Sequence, residues 1–338
     1  MLIVTEGHMD RYQSKAAAGI VRYCREDVVG ILDSQHAGED IEPVLGVGRG
    51  LPVVQDVTSA LPLAPRTLVI GIAPAGGRLP EDWRRHLIDA LNAKLDVVSG
   101  LHRFLNDDPE LAELARKNRS RIYDVRKPND DIPIGSNLAS KLKSKRVLTV
   151  GSDGNIGKMH ASLELTLELE RRGRDADFVA TGQIGIMISG RGVPIDHVIS
   201  DFVSGAIEQE LLNREPHEVF LVEGQGAIVH PGFSAVTLGL IHGSAPDAMI
   251  FCHNPTRQYQ RHGGLIPPIN ESIRMHEDLC RYLYPSKVIA VSLNCAELDA
   301  HAAHRAIGRV NDETGLPATD PVKFGAGPLA DAVEAILG

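Results

Sequence analysis

LTVGSDGNIGKMHASLELTLELERRG, residues 148–173, runs an apolar stretch into a glycine-rich turn and then into a Leu- and Glu-rich segment. A strand, a glycine turn and a helix in immediate succession aim backbone N–H groups and the positive end of the helix at one spot, which suits an anion. Lys158 adds a full charge there. Gly151, Ser152, Asp153, Gly154, Asn155, Ile156, Gly157, Lys158, Met159 and His160 are therefore the expected phosphate cradle. Two features depart from the usual G-x-x-x-x-G-K-[ST] loop. Five residues separate Gly151 from Gly157, one more than usual, and Met159 stands where a hydroxyl would help to hold magnesium. A thioether does not ligate that hard, oxygen-preferring cation, and His160 and Ser162 are displaced along the helix. The loop is thus expected to bind phosphates without cleaving them.

Beyond the loop, Leu163, Leu165, Leu167 and Leu169 alternate as in a strand, but the length, the Leu/Glu content and the closing RRG favour a helix. Two buried stripes are expected on it, through Met159, Leu163 and Leu167 and through Ala161, Leu165 and Leu169. Further strands are expected at residues 177–180, 219–224, 248–252 and 287–294, each followed by small or polar residues. In FLVEGQGAIVHPG, residues 220–232, an apolar strand ends in Glu223 and then glycines, where folds of this kind place an acid facing the phosphates.

Upstream, short apolar runs at 27–34, 67–73 and 95–100 alternate with amphipathic segments such as PEDWRRHLIDALNA, residues 80–93, the pattern of a parallel sheet with crossover helices. The glycines of VLGVGRGLPVV, residues 44–54, match a dinucleotide loop only weakly. Residues 128–140 carry Pro, Asp, Asn and Gly without a period and read as a linker. The expectation is an α/β protein, with a Rossmann-like domain over residues 1–135 followed by a P-loop NTPase-like parallel-sheet domain over 141–338.

A formal net charge of −9 with scattered Lys and Arg argues against general nucleic-acid binding, which relies on clustered cations. Cys24, Cys252, Cys280 and Cys295 are widely spaced, which disfavours a disulfide framework or zinc knuckle and suggests a reducing compartment. The N-terminus has no signal-like segment, and no apolar run reaches the roughly 18 residues of a membrane span. A cytoplasmic protein is expected, with no membrane partner and a homo-oligomer as the ordinary state.

The lengthened turn GSDGNIGK resembles the loop of dethiobiotin synthetase and its relatives. More of the chain resembles a family formerly catalogued as a domain of unknown function, which includes the D-glutamate N-acetyltransferase of bacterial D-amino-acid catabolism. The stretches that carry this resemblance are KAAAGIVRY, VVGILDSQHAGED, IGIAPAGGRLPEDWR, VVSGLHRFLNDDPEL, VGSDGNIGKMHASLEL, ATGQIGIMISGRGVPIDHVISDFVSGAIE, LVEGQGAIVHP and CHNPTRQ. His160 is a departure, standing where a small hydroxyl residue is expected. The resemblance implies a Rossmann-like domain, then a P-loop domain, and transfer of acetyl from acetyl-CoA to the amino group of D-glutamate or a similar D-amino acid, with no metal required.

Such a reaction needs a base, oxyanion donors and cations for carboxylates. Glu223, Asp153 and His230 are the candidate bases, with Glu223 first. Backbone N–H groups of residues 224–226 are candidate oxyanion donors, and Arg191, Arg257 and Gln225 candidate substrate contacts. Two competing expectations are an ATP-dependent ligase or kinase with magnesium on Asp153 and Glu223, and a nucleotide-binding module without catalysis.

Overall fold

The computed structural model describes residues 1–10, 13–74, 77–261 and 263–338. Ala75 and Gly76, inside one of the stretches quoted above, lie outside the described residues. The chain divides into two compact units, one formed by Met1–Pro128 with Ile186–Gly190, the other by Asn129–Gly185 with Arg191–Gly338. Both are built on parallel sheets, as the alternation of apolar runs and amphipathic segments predicts.

The first unit contains β1 (Leu2–Val4), β2 (Gly30–Leu32), β3 (Val53–Val54), β4 (Thr67–Ile70), β5 (Asp96–Ser99) and β6 (Ile122–Asp124). Their order, β3-β2-β1-β4-β5-β6, is that of a doubly wound Rossmann-like sheet. Successive side chains of a strand point to opposite faces, and here both faces are covered. Leu2 and Val4 join a core with Leu68, Ile70, Trp83 and Leu87, while Ile3 joins another with Ile20, Ile31 and Val69. The glycines at 46, 48 and 50 follow the short helix Glu42–Leu45 and lead into β3. A dinucleotide loop runs the other way, from strand to helix, so this stretch is a connection between elements.

The second unit contains β7 (Lys145–Gly151), β8 (Ala176–Val179), β9 (Val219–Val222), β10 (Ala248–His253), β11 (Lys287–Leu293) and β12 (Ala318–Thr319), ordered β12-β11-β10-β7-β9-β8. The strand that feeds the glycine loop is therefore central, with β9 and β10 on either side of it. Leu148 and Val150 pack on one face with Phe220, Val222 and Phe251; Val147 packs on the other with Leu165, Leu169, Leu329 and Val333.

The helix Lys158–Arg171 buries one stripe, Lys158, Ala161, Ser162, Leu165, Thr166 and Leu169, together with Leu163. The expected second stripe is corrected here, because Leu167 is 48% exposed. A helix lying on a sheet has one inward face of i, i+3, i+4 positions, and Leu167 falls outside it. The linker stretch is fixed rather than loose: the Glu208 carboxylate accepts from the backbone N–H groups of Ser136, Leu138 and Ala139. Among the described residues no helix is long and apolar enough to cross a membrane.

Candidate active site

The loop between β7 and the helix Lys158–Arg171 is pinned at its start, where Ser152 N donates to Cys252 O on β10 (3.1 Å). Gly157 immediately precedes the helix with φ +99°, in the left-handed region that glycine enters without strain. Lys158, the first helical residue, is buried. Its ammonium donates to Asp153 O (2.7 Å) within the loop and to Gly226 O (2.8 Å) in the turn after β9. One cation thus ties the two turns together. Burial pushes the Lys158 amine down to about 8, against the opposing pull of Asp153 and Glu223.

Glu223 leaves the end of β9 and is 4% exposed. Its Oε2 accepts from the N–H groups of Thr181 (2.9 Å) and Gly182 (3.1 Å), which follow β8. Its Oε1 accepts from the Gln225 side-chain amide (2.9 Å). Burial raises the carboxyl above the usual glutamate value despite these donors and Lys158. Gly224 N donates to the Thr149 hydroxyl (2.8 Å), so of the three N–H groups in residues 224–226 those of Gln225 and Gly226 are the ones left for an oxyanion. The Thr149 and Ser162 hydroxyls meet at 3.1 Å beneath the loop. Ser162 therefore does not stand in for the hydroxyl that Met159 lacks.

Asp153 is fully buried, and its oxygens are committed to Gly154 N (2.7 Å), Arg257 Nη1 (3.0 Å) and Arg261 N (3.1 Å). Ser152 Oγ and His253 Nδ1 are 2.9 Å apart. This has the form of a nucleophile–base pair, but burial pushes the imidazole down to about 4, which makes it a weak base.

The structure bonds Lys158, Asp153 and Arg257 into one group around the loop, and the Lys158 bond to Gly226 O ties that group to the turn that carries Glu223 and Gln225, which are bonded to each other. The other candidates have different partners. Arg191 pairs with Asp177 on β8 (2.6 Å), an acid it shares with Arg214 (2.6 Å). His230 stacks on Phe233 with ring centroids 4.6 Å apart, and its Nδ1 accepts from Gly232 N (3.0 Å). In the neutral ring, that bond puts the proton on Nε2. The sequence alone does not single out Thr149, Thr181 and Gly182 as site residues, although the Thr-Gly pair directly after an apolar strand is the signal for the last two. Among the described residues, no three His, Cys, Asp or Glu side chains are grouped to hold a metal ion.

Two family models match the chain: a Rossmann-like domain of unknown function, DUF1611_N, over residues 34–128 and a P-loop domain, DUF1611_C, over residues 133–330. A protein of Tritonibacter scottomollicae named D-glutamate N-acetyltransferase is 37% identical over 332 residues, covering 97% of this chain and 96% of that protein. A Pseudoalteromonas protein of the same name is 37% identical over 274 residues, 80% of this chain and 81% of its own. The crystal structure of a DUF1611 family protein from Anabaena variabilis matches with a TM-score of 0.93 at 38% identity, covering 99% of this chain and 98% of that one.

Proposed function

The chain belongs to the DUF1611 family, with relatives named D-glutamate N-acetyltransferase, and from that membership we propose how its loop and its buried glutamate serve acetyl transfer. The protein is an acyltransferase. In our reading the donor is acetyl-CoA and the acceptor the amino group of D-glutamate. Residues 151–160 hold the coenzyme's phosphates as a handle and leave them intact.

One observation carries this reading: the glycine turn closes on the buried ammonium of Lys158, which bonds the carbonyls of Asp153 and Gly226, while the next residue is Met159. Two protons of the ammonium rest on carbonyls, and the third is directed to a phosphate oxygen. A thioester is already activated, so its phosphates need gripping and not cleaving. Acetyl-CoA supplies the acetyl group and a thiolate leaving group. The ATP and magnesium alternative fits the donor set less well, because Asp153, one of its intended metal ligands, is fully buried, ion-paired with Arg257 and also accepts from Gly154 N and Arg261 N.

Glu223 is the proposed base. Its Oε2 is fixed by two backbone N–H groups, so Oε1 is the oxygen that takes the proton from the substrate ammonium as Gln225 turns from Glu223 to the substrate. A carboxyl raised by burial is better matched to an acceptor role near neutral pH. The freed amine attacks the thioester carbonyl, and the N–H groups of Gln225 and Gly226 receive the oxyanion. As the adduct collapses the C–S bond breaks, the departing thiolate takes the remaining ammonium proton from the new amide nitrogen, and Glu223 returns its own proton to solvent, so the products are the N-acetyl amino acid, CoA thiol and one proton.

The test is a thiol-release assay with acetyl-CoA across D- and L-amino acids, without ATP or magnesium. One free thiol per N-acetyl-D-glutamate is expected. ADP formed in proportion to product in an ATP-supplemented assay, with no thiol released, would replace this reading with the ligase one.

A further inference from the structure

Arg257 has the residue type of a carboxylate partner, but the structure gives its guanidinium three acceptors inside the protein. Nη1 donates to Asp153 Oδ2 (3.0 Å) and Gly154 O (2.9 Å), and Nη2 donates to Asn155 O (3.3 Å). Asp153 is held in turn by Gly154 N and Arg261 N. The pair is neutral overall, so its effect on a nearby anion is geometric more than Coulombic.

The peptide bonds of the described residues are all trans. In a trans peptide the N–H points opposite to the carbonyl that precedes it. Drawing the Gly154 and Asn155 carbonyls toward Arg257 therefore turns the N–H groups of Asn155 and Ile156 to the opposite side. Asn155 at φ +52° and Gly157 at φ +99° supply the changes of backbone hand from which concave N–H nests are made. We propose that Arg257 is a positioning residue. With Asp153 it holds the turn in its anion-receiving shape and so sets the affinity for the donor's phosphates, without contacting the amino-acid substrate. Lysine cannot replace it, because one ammonium on a flexible stem does not reproduce a planar fork across three acceptors.

This inference rests on the loop being the donor's phosphate site, and the experiment separates the two. Arg257→Gln and Arg257→Lys would be compared with the double variant Asp153→Asn/Arg257→Gln, which leaves no stranded buried carboxylate. Calorimetry would give Kd for pyrophosphate and for CoA, and kinetics KM for acetyl-CoA, for phosphate-free S-acetylpantetheine and for D-glutamate. All three variants should bind pyrophosphate and CoA about tenfold more weakly or worse, the loss expected for charge-assisted hydrogen bonds. KM for acetyl-CoA should rise, while the constants for S-acetylpantetheine and D-glutamate stay unchanged. A raised KM for D-glutamate with pyrophosphate binding intact would overturn the proposal in favour of a carboxylate contact, and so would unchanged binding in folded variants. If the wild type binds pyrophosphate but transfers no acetyl from acetyl-CoA, the acyl-donor reading fails and the pyrophosphate comparison still decides the role of Arg257.

Discussion

Lys158 is a buried amine whose surroundings oppose its charge, yet the proposed function needs that charge. Replacing it with Ala is expected to weaken CoA binding about tenfold or more by removing a charge-assisted contact, measured by calorimetry at pH 7. The pH dependence follows from a folded value of about 8 against 10.5. Between these values the unfolded chain holds a proton that the folded one lacks, so this group's contribution to stability rises with pH across the window, by up to about 3 kcal/mol. CoA affinity should move the opposite way, falling as pH rises through about 8. A urea-denaturation series with Lys158→Met alongside would show the stability trend in the wild type alone. Glu223→Gln should lower kcat by about 10²–10⁴-fold, the usual contribution of a general base. Because burial raises this carboxyl, wild-type turnover should fall on acidification at a pH above the ordinary glutamate value of 4.5.

The turn after β9 and the loop after β7 are tied together by Lys158, and the start of that turn packs directly on the backbone of β7, leaving no room for a side chain at Gly224. A Cβ on Gly224 would lie 1.6 Å from the Thr149 carbonyl oxygen, a backbone atom that cannot move aside. Gly224→Ala is therefore expected to cost at least the ~1–3 kcal/mol of an overpacked interior, read as a lower denaturation midpoint, and to weaken CoA binding as the two turns part.

Much of this pair is legible in the sequence. The apolar run into GSDGNIGK fixes a strand, a turn and a helix, and Glu223 stands out as an acid closing an apolar strand. What is not legible is pairing across distance. Nothing near Arg257 in sequence announces Asp153, 104 positions away, and nothing near Arg191 singles out Asp177 over other acids. The short strands are hidden for a different reason. β3 and β12 have two residues each, too few to show a period of two.

The whole molecule is two parallel-sheet units, each with its own core, and the chemistry proposed here lies in the second. The chain matches a relative named for acetyl transfer along nearly its full length, and the Met159 that ends its loop sets it apart from nucleotide-cleaving loops that carry a hydroxyl there. Acetyl transfer should therefore proceed unchanged after EDTA treatment and without ATP, as followed by thiol release. A crystal structure with CoA bound tests the central claim most directly. The account predicts the coenzyme's phosphates within hydrogen-bonding distance of Lys158 Nζ and the N–H groups of the turn from Gly154 to Lys158. Phosphates lodged elsewhere, with the ammonium still resting only on the carbonyls of Asp153 and Gly226, would contradict it.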